Sequence, residues 1–126
     1  MKQIITTTNA PSPIGPYSQA VLVNGMLYVS GQIATDPTTD QLVLGSIEEE
    51  TKQVLENLKA ILDEAGFTFQ DIIKTSIFLT DMSFFSTVNA IYGSYFTSDF
   101  PARETVAVSG LPKGVNVEIS IIAYKS

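Results

Sequence analysis

Apolar positions along this chain recur with two different periods, and the changes of period mark its elements. Ala20-Val21-Leu22-Val23 and Met26-Leu27-Tyr28-Val29-Ser30 flank Asn24-Gly25. That dipeptide between apolar runs predicts a hairpin, because both residues tolerate the positive φ of a tight turn. From Ser46 the period lengthens: Thr51, Val54, Leu55, Leu58, Ile61, Leu62 and Ala65 share one face of a predicted helix. Ser46 with Glu49 three residues on has capping-box spacing, and Gly66 stands where a helix-ending glycine belongs.

Residues 2–7 predict a short first strand and Ile72 to Leu79 another. Ser83 to Phe96 carries a bulky helical stripe of Phe84, Val88, Ile91, Tyr92, Tyr95 and Phe96, which reads as core. Thr105 to Val108 and Val115 to Tyr124 predict a closing hairpin about Leu111-Pro112-Lys113-Gly114. The Pro-rich segment Ala10 to Tyr17 and the polar stretch Thr35 to Gly45 read as loops. This order predicts one α+β domain over residues 1–126, with about six strands and both helices on one sheet face. The other face would need cover, and a partner subunit would supply it.

Composition supports that expectation. Only 16% of the residues are charged, against 44% apolar, well short of the roughly 25% charge usual in soluble proteins. So little charge leaves a monomer short of polar cover and favours an oligomer. A net charge of −6 with scattered lysines argues against a nucleic-acid partner, which needs clustered cations. The N-terminal residues lack the apolar core of a signal peptide, and no apolar stretch nears spanning length. A cytoplasmic protein without a membrane partner is the expectation.

The chain has no histidine, cysteine or tryptophan, and a single arginine, Arg103. Zinc sites of the usual kind, Ser-His-Asp triads and Cys-His pairs are thereby excluded. Chemistry must come from carboxylates, hydroxyls, amides, lysines and one guanidinium. Arg103 reads either as an anchor for a small anion, which its fork of donors grips bidentately, or as a surface ion pair. Glu118 interrupts the apolar run Val115 to Ala123 and points away from Val117, Ile119 and Ile121. A carboxylate there is exposed, paired or functional. Tyr17 follows the rigid Gly15-Pro16 pair, Gly31 marks a bulge or a close approach to backbone, and Asn89 lies mid-helix. Thr105, two residues past Arg103, would share its face. Along an ideal final hairpin Glu118 opposes Ala107, leaving Arg103 four residues away, roughly 13 Å along the strand. The site would then use long side chains, or draw on more than one subunit.

Ile14-Gly15-Pro16-Tyr17-Ser18, Val29-Ser30-Gly31-Gln32-Ile33, Thr87-Val88-Asn89, Phe100-Pro101-Ala102-Arg103, Leu111-Pro112 and Val117-Glu118-Ile119 together resemble the RidA (YjgF) family of small imine deaminases. The resemblance covers essentially the whole chain. It implies a chorismate-mutase-like α+β fold assembled as a homotrimer, with clefts between subunits and no cofactor. It also implies hydrolysis of 2-imino acids, released by pyridoxal-phosphate dehydratases, to 2-keto acids. By that resemblance Arg103 grips the substrate carboxylate and Glu118 handles the attacking water, while Tyr17, Ser30, Gly31, Asn89 and Thr105 line the cleft. One departure is Glu104, where many relatives have Ser; strand alternation puts it on the face opposite Arg103.

Two other functions bear on the same residues. A non-catalytic trimer binding a small carboxylate would need Arg103 but not Glu118. A ribonuclease, also associated with the family, fits poorly with an acidic chain that lacks histidine.

Overall fold

A computed structural model describes residues 1–126. Six strands form one mixed sheet: β1 (Gln3–Ile5), β2 (Ala20–Val23), β3 (Met26–Gln32), β4 (Ile72–Leu79), β5 (Ala102–Ala107) and β6 (Val117–Tyr124), in the order β1-β2-β3-β6-β4-β5. Two helices, α1 (Ile47–Ala65) and α2 (Phe85–Gly93), complete the α+β fold. Neither is long and apolar enough to cross a membrane.

Local signals act as the sequence predicts. Asn24 and Gly25 take φ of 50° and 79° and close the β2–β3 hairpin, with Val23 opposite Met26. Ser46 caps α1 by accepting from the Glu49 backbone N–H, and Gly66 ends it with φ 80°. The buried stripe Val54, Leu55, Leu58, Ile61 and Leu62 packs onto Val117, Ile119, Ile121 and Leu27 of the sheet. Helix α2 is shorter than its apolar stripe predicts. Asp81 caps a separate 3-10 turn at Met82–Phe84, and the chain leaves the helix at Ser94, so Tyr95 and Phe96 pack from the turn that follows.

The last two strands do not form the expected hairpin. β5 runs parallel to β4, with Thr75 opposite Arg103, and α2 is the crossover between them. β6 instead enters the sheet centre, antiparallel to both β3 and β4. A parallel neighbour needs a long crossover, and α2 provides it; the turn after β5 only carries the chain back over β4.

Strand faces then follow from register. Thr75, Ile77, Leu79, Val117, Ile119 and Ile121 are buried toward the helices. Lys74, Ser76, Phe78, Ser120 and Ile122 lie on the other, open face, level with Glu104 and Tyr28. That open face exposes Ile4, Tyr28, Val106 and Tyr124, each more than 40% accessible.

Two buried polar side chains fix the segments nearest the candidate site. Glu50 of α1 is wholly buried. Its carboxylate accepts from the Asn116 backbone N–H (2.8 Å), the Asn116 amide (2.8 Å) and the Val117 backbone N–H (2.9 Å), tying the start of β6 to the helix. Gln19 accepts from the Thr7 backbone N–H (2.7 Å) and donates to the Thr7 and Pro11 carbonyls. A proline-rich loop offers few backbone donors, and one amide side chain holds it in their place.

Candidate active site

Arg103 stands on edge strand β5, on the helix-facing side. Its Nη1 donates to Asn89 Oδ1 at 2.7 Å. Its guanidinium carbon lies 5.3 Å from the Tyr92 ring centre and 5.6 Å from that of Phe85. No carboxylate pairs with it: the ion pairs in the chain are Lys59–Asp63 and Lys74–Glu104. The surface-ion-pair reading of Arg103 is thereby set aside. An exposed cation with free donor edges is left beside a shallow depression of about 440 Å³ formed with Asn89, Tyr92, Phe100 and Pro101. Thr105 shares this face, and its hydroxyl is buried without a hydrogen-bond partner.

Glu118 is placed elsewhere. It faces a larger cavity of about 800 Å³, together with Tyr17, Ser30, Gly31, Pro112 and Lys113. Ser30 and Gly31 sit in a register shift between Val29 and Gln32, where β3 bulges away from β6. The carboxylate fills the room that a Gly31 side chain would need: a Cβ built there overlaps Glu118 Oε2 and lies 2.8 Å from its Cδ. Gly31 thus both marks the bulge and lets the carboxylate lie against backbone. Burial, with no compensating hydrogen bond in the chain, pushes the Glu118 carboxyl above the ordinary Glu value.

Tyr17 is half exposed at the cavity rim. Ser30 donates its hydroxyl to the Ser18 carbonyl at 2.6 Å, so it secures the loop that carries Tyr17 while lining the same cavity. Glu104 points to the open face, where Ser76 and Lys74 bond it and lower its pKa. It therefore leaves the Arg103 charge uncompensated, as strand alternation requires.

The candidate residues fall into two groups. Arg103, Asn89 and Thr105 lie on the helix side of β5; Glu118, Tyr17, Ser30 and Gly31 gather around the other cavity. The hairpin register expected between these strands is not formed: Glu118 lies opposite Phe78 of β4 and, across it, level with Val106 rather than Ala107. Tyr92 was read as core only and Phe85 was not singled out, yet both rings flank the guanidinium. Their i, i+7 spacing and the intervening Asn89 carried that signal. No three acidic side chains group as a metal site would need.

Comparison with known proteins places this architecture. The family model described as Endoribonuclease L-PSP matches residues 7–125. A human protein named 2-iminobutanoate/2-iminopropanoate deaminase is 50% identical over 99% of this chain and 91% of its own length. A RutC family protein of Pyrococcus horikoshii is 51% identical over 99% of both chains. Among solved structures, a Rid family protein of unknown function from Yersinia pestis superposes with a TM-score of 0.97 at 54% identity, covering 99% of this chain and 100% of that one. The E. coli protein TdcF, solved with bound serine, gives a TM-score of 0.94 at 40% identity, over 98% and 99% of the two chains. Sequence and fold agree with these relatives over nearly their full length, and the chain belongs to the RidA (YjgF) family.

Proposed function

We propose that this protein is a cofactor-independent 2-iminobutanoate/2-iminopropanoate deaminase, converting reactive 2-imino acids and water to 2-keto acids and ammonia. The observation that carries the reading is an arginine held ready for a carboxylate but given none by its own chain. Relatives half identical over nearly the whole chain bear the name of this activity, and another was solved with serine, a three-carbon amino acid.

The working unit is a homotrimer with clefts between subunits, in the cytoplasm. Arg103 of one subunit and Glu118 of its neighbour share each cleft. The opposite facing of the two residues in one chain supports this assembly, as does the apolar open face. A trimer that buries Ile4, Tyr28, Val106 and Tyr124 removes exposed apolar surface while completing the site.

In the cleft, Arg103 grips the substrate carboxylate through its free donor edge. Tyr17, Ser30 and Gly31 line the wall beside Glu118, and Thr105 lies next to the anchor with its hydroxyl free to bond. Asn89 contributes by fixing Arg103. Glu118 accepts a proton from water as the oxygen adds to C2, forming a carbinolamine. It returns that proton to nitrogen, then takes the hydroxyl proton of the carbinolamine and passes it to the amine as the C–N bond breaks, releasing ammonia and leaving the keto group. Burial makes Glu118 a better base than a solvated carboxylate, which suits proton transfer near neutrality. An imine is already electrophilic, so orientation together with one proton shuttle supplies what the reaction needs.

A pure keto-acid binder would have no use for a desolvated carboxylate opposite its anion site, and Glu118 favours catalysis on that ground. The net charge of −6 disfavours a polyanionic RNA substrate despite the family description. The test generates 2-iminobutanoate with a threonine dehydratase and follows 2-oxobutanoate release. Faster release with this protein present is expected; release at the dehydratase-only rate would refute the assignment.

A further inference from the structure

Arg103 is oriented by three side chains that leave its charge and its outer edge unused. Asn89 takes one in-plane N–H of Nη1 at 2.7 Å. Phe85 and Tyr92 meet the cation with their rings, at 5.6 and 5.3 Å, which consumes no donor. A guanidinium carries five N–H donors, so the edge formed by Nε and Nη2 stays open for a carboxylate. An acidic partner would hold the arginine as firmly but would neutralise the very charge the substrate needs. The neutral amide and the rings position without competing.

Tyr92 is itself fixed. Only 4% of it is exposed, its ring packs 4.9 Å from that of Phe96, and its hydroxyl donates to Thr75 Oγ1 at 2.9 Å. Thr75 is fully buried in β4 directly opposite Arg103. The strand pair that places the arginine backbone therefore also places the ring that orients its head group.

We propose that Tyr92 and Phe85 are positioning residues that hold the Arg103 guanidinium in its carboxylate-binding orientation, Tyr92 being locked in turn by its bond to Thr75. This rests on the reading of Arg103 as the carboxylate anchor. Because the anchor contacts the same carboxylate before and during the reaction, loosening it weakens binding more than it slows chemistry.

The experiment measures KM and kcat for in situ 2-iminobutanoate, and Kd for 2-oxobutanoate by calorimetry, in Tyr92→Leu, Tyr92→Phe, Phe85→Leu and Arg103→Ala. Loss of a ring raises KM and Kd together, by about tenfold for Tyr92→Leu and about threefold for Phe85→Leu, with kcat within about twofold. Tyr92→Phe keeps the ring but loses the bond to Thr75, so its KM rises by less, about threefold. If Tyr92→Leu does not fold, Phe85→Leu, at a half-buried position, decides the matter. Unchanged KM and Kd in the folded leucine variants, with binding lost in Arg103→Ala, would overturn the positioning role and leave the anchor intact. Undiminished binding in Arg103→Ala would instead remove the anchor reading itself.

Discussion

Arg103 and Glu118 lie on opposite faces of one sheet, separated by β4: the arginine is level with Thr75 on the helix side, and the glutamate is level with Phe78 on the open side. No rotamer change brings them together through a packed layer. Their cooperation requires two copies of the chain, and several expectations follow from that constraint.

Arg103→Ala removes the proposed carboxylate anchor from an exposed position. Turnover of 2-iminobutanoate should fall on the order of 100-fold, with the melting temperature and the oligomer unchanged. Steady-state kinetics beside light scattering checks both halves, and undiminished turnover would contradict the anchor.

Gly31→Ala forces the Glu118 carboxylate aside, since the new Cβ overlaps Oε2. The displaced atoms end a flexible side chain, so stability changes little. Turnover, which depends on where that carboxylate sits, should drop about tenfold or more. A melting scan with a rate assay separates the two; an active Gly31→Ala enzyme would argue against a close-set Glu118.

Glu118→Gln should lower turnover far more than 2-oxobutanoate affinity. It also carries a pH signature. Burial raises the folded-state pKa of Glu118 above the ordinary Glu value of about 4.5, so ionised Glu118 disfavours the fold once the pH exceeds that range. The folding advantage of the protonated carboxyl is present in full below the unfolded pKa and is lost as pH rises through the folded one. Glu118→Gln should therefore melt higher than the parent at neutral pH, the gain shrinking as pH falls toward 4.5. A lower melting temperature at neutral pH would instead show that the neighbouring subunit's cation dominates its environment.

Glu50→Ala tests the scaffold under the site. It strands the buried backbone N–H of Val117 and the Asn116 donors, at a cost of about 3 kcal/mol. Urea unfolding should show a lower midpoint; an unchanged midpoint would mean that water or a neighbouring group takes over the acceptor role.

Much of this was legible in the residues. Asn24-Gly25, Ser46 with Glu49, and Gly66 each specify a local backbone geometry, and the chain adopts it at all of these places. The β5–β6 arrangement was not legible, because Leu111 to Gly114 has turn chemistry whichever strand comes next, and only long-range packing puts β6 between β3 and β4. The helix-side position of Arg103 was hidden for the same reason. The Tyr92 ring read as core because its spacing is that of any buried helical stripe, and Phe85 fell outside that stripe; what sets both rings apart is a cation on a strand remote in sequence. Gln19 and Glu50 looked like ordinary polar residues, since their acceptors and donors come from loops and strands far along the chain.

The shared cleft is most directly tested by mixing. Arg103→Ala and Glu118→Gln, each inactive alone, are unfolded together in equal amounts and refolded into mixed oligomers. Random assembly puts an intact arginine against an intact glutamate in about a quarter of the clefts, and activity should return to about that fraction of the parent's. No recovery above the separately refolded variants would show that each active centre lies within one chain, contradicting the account.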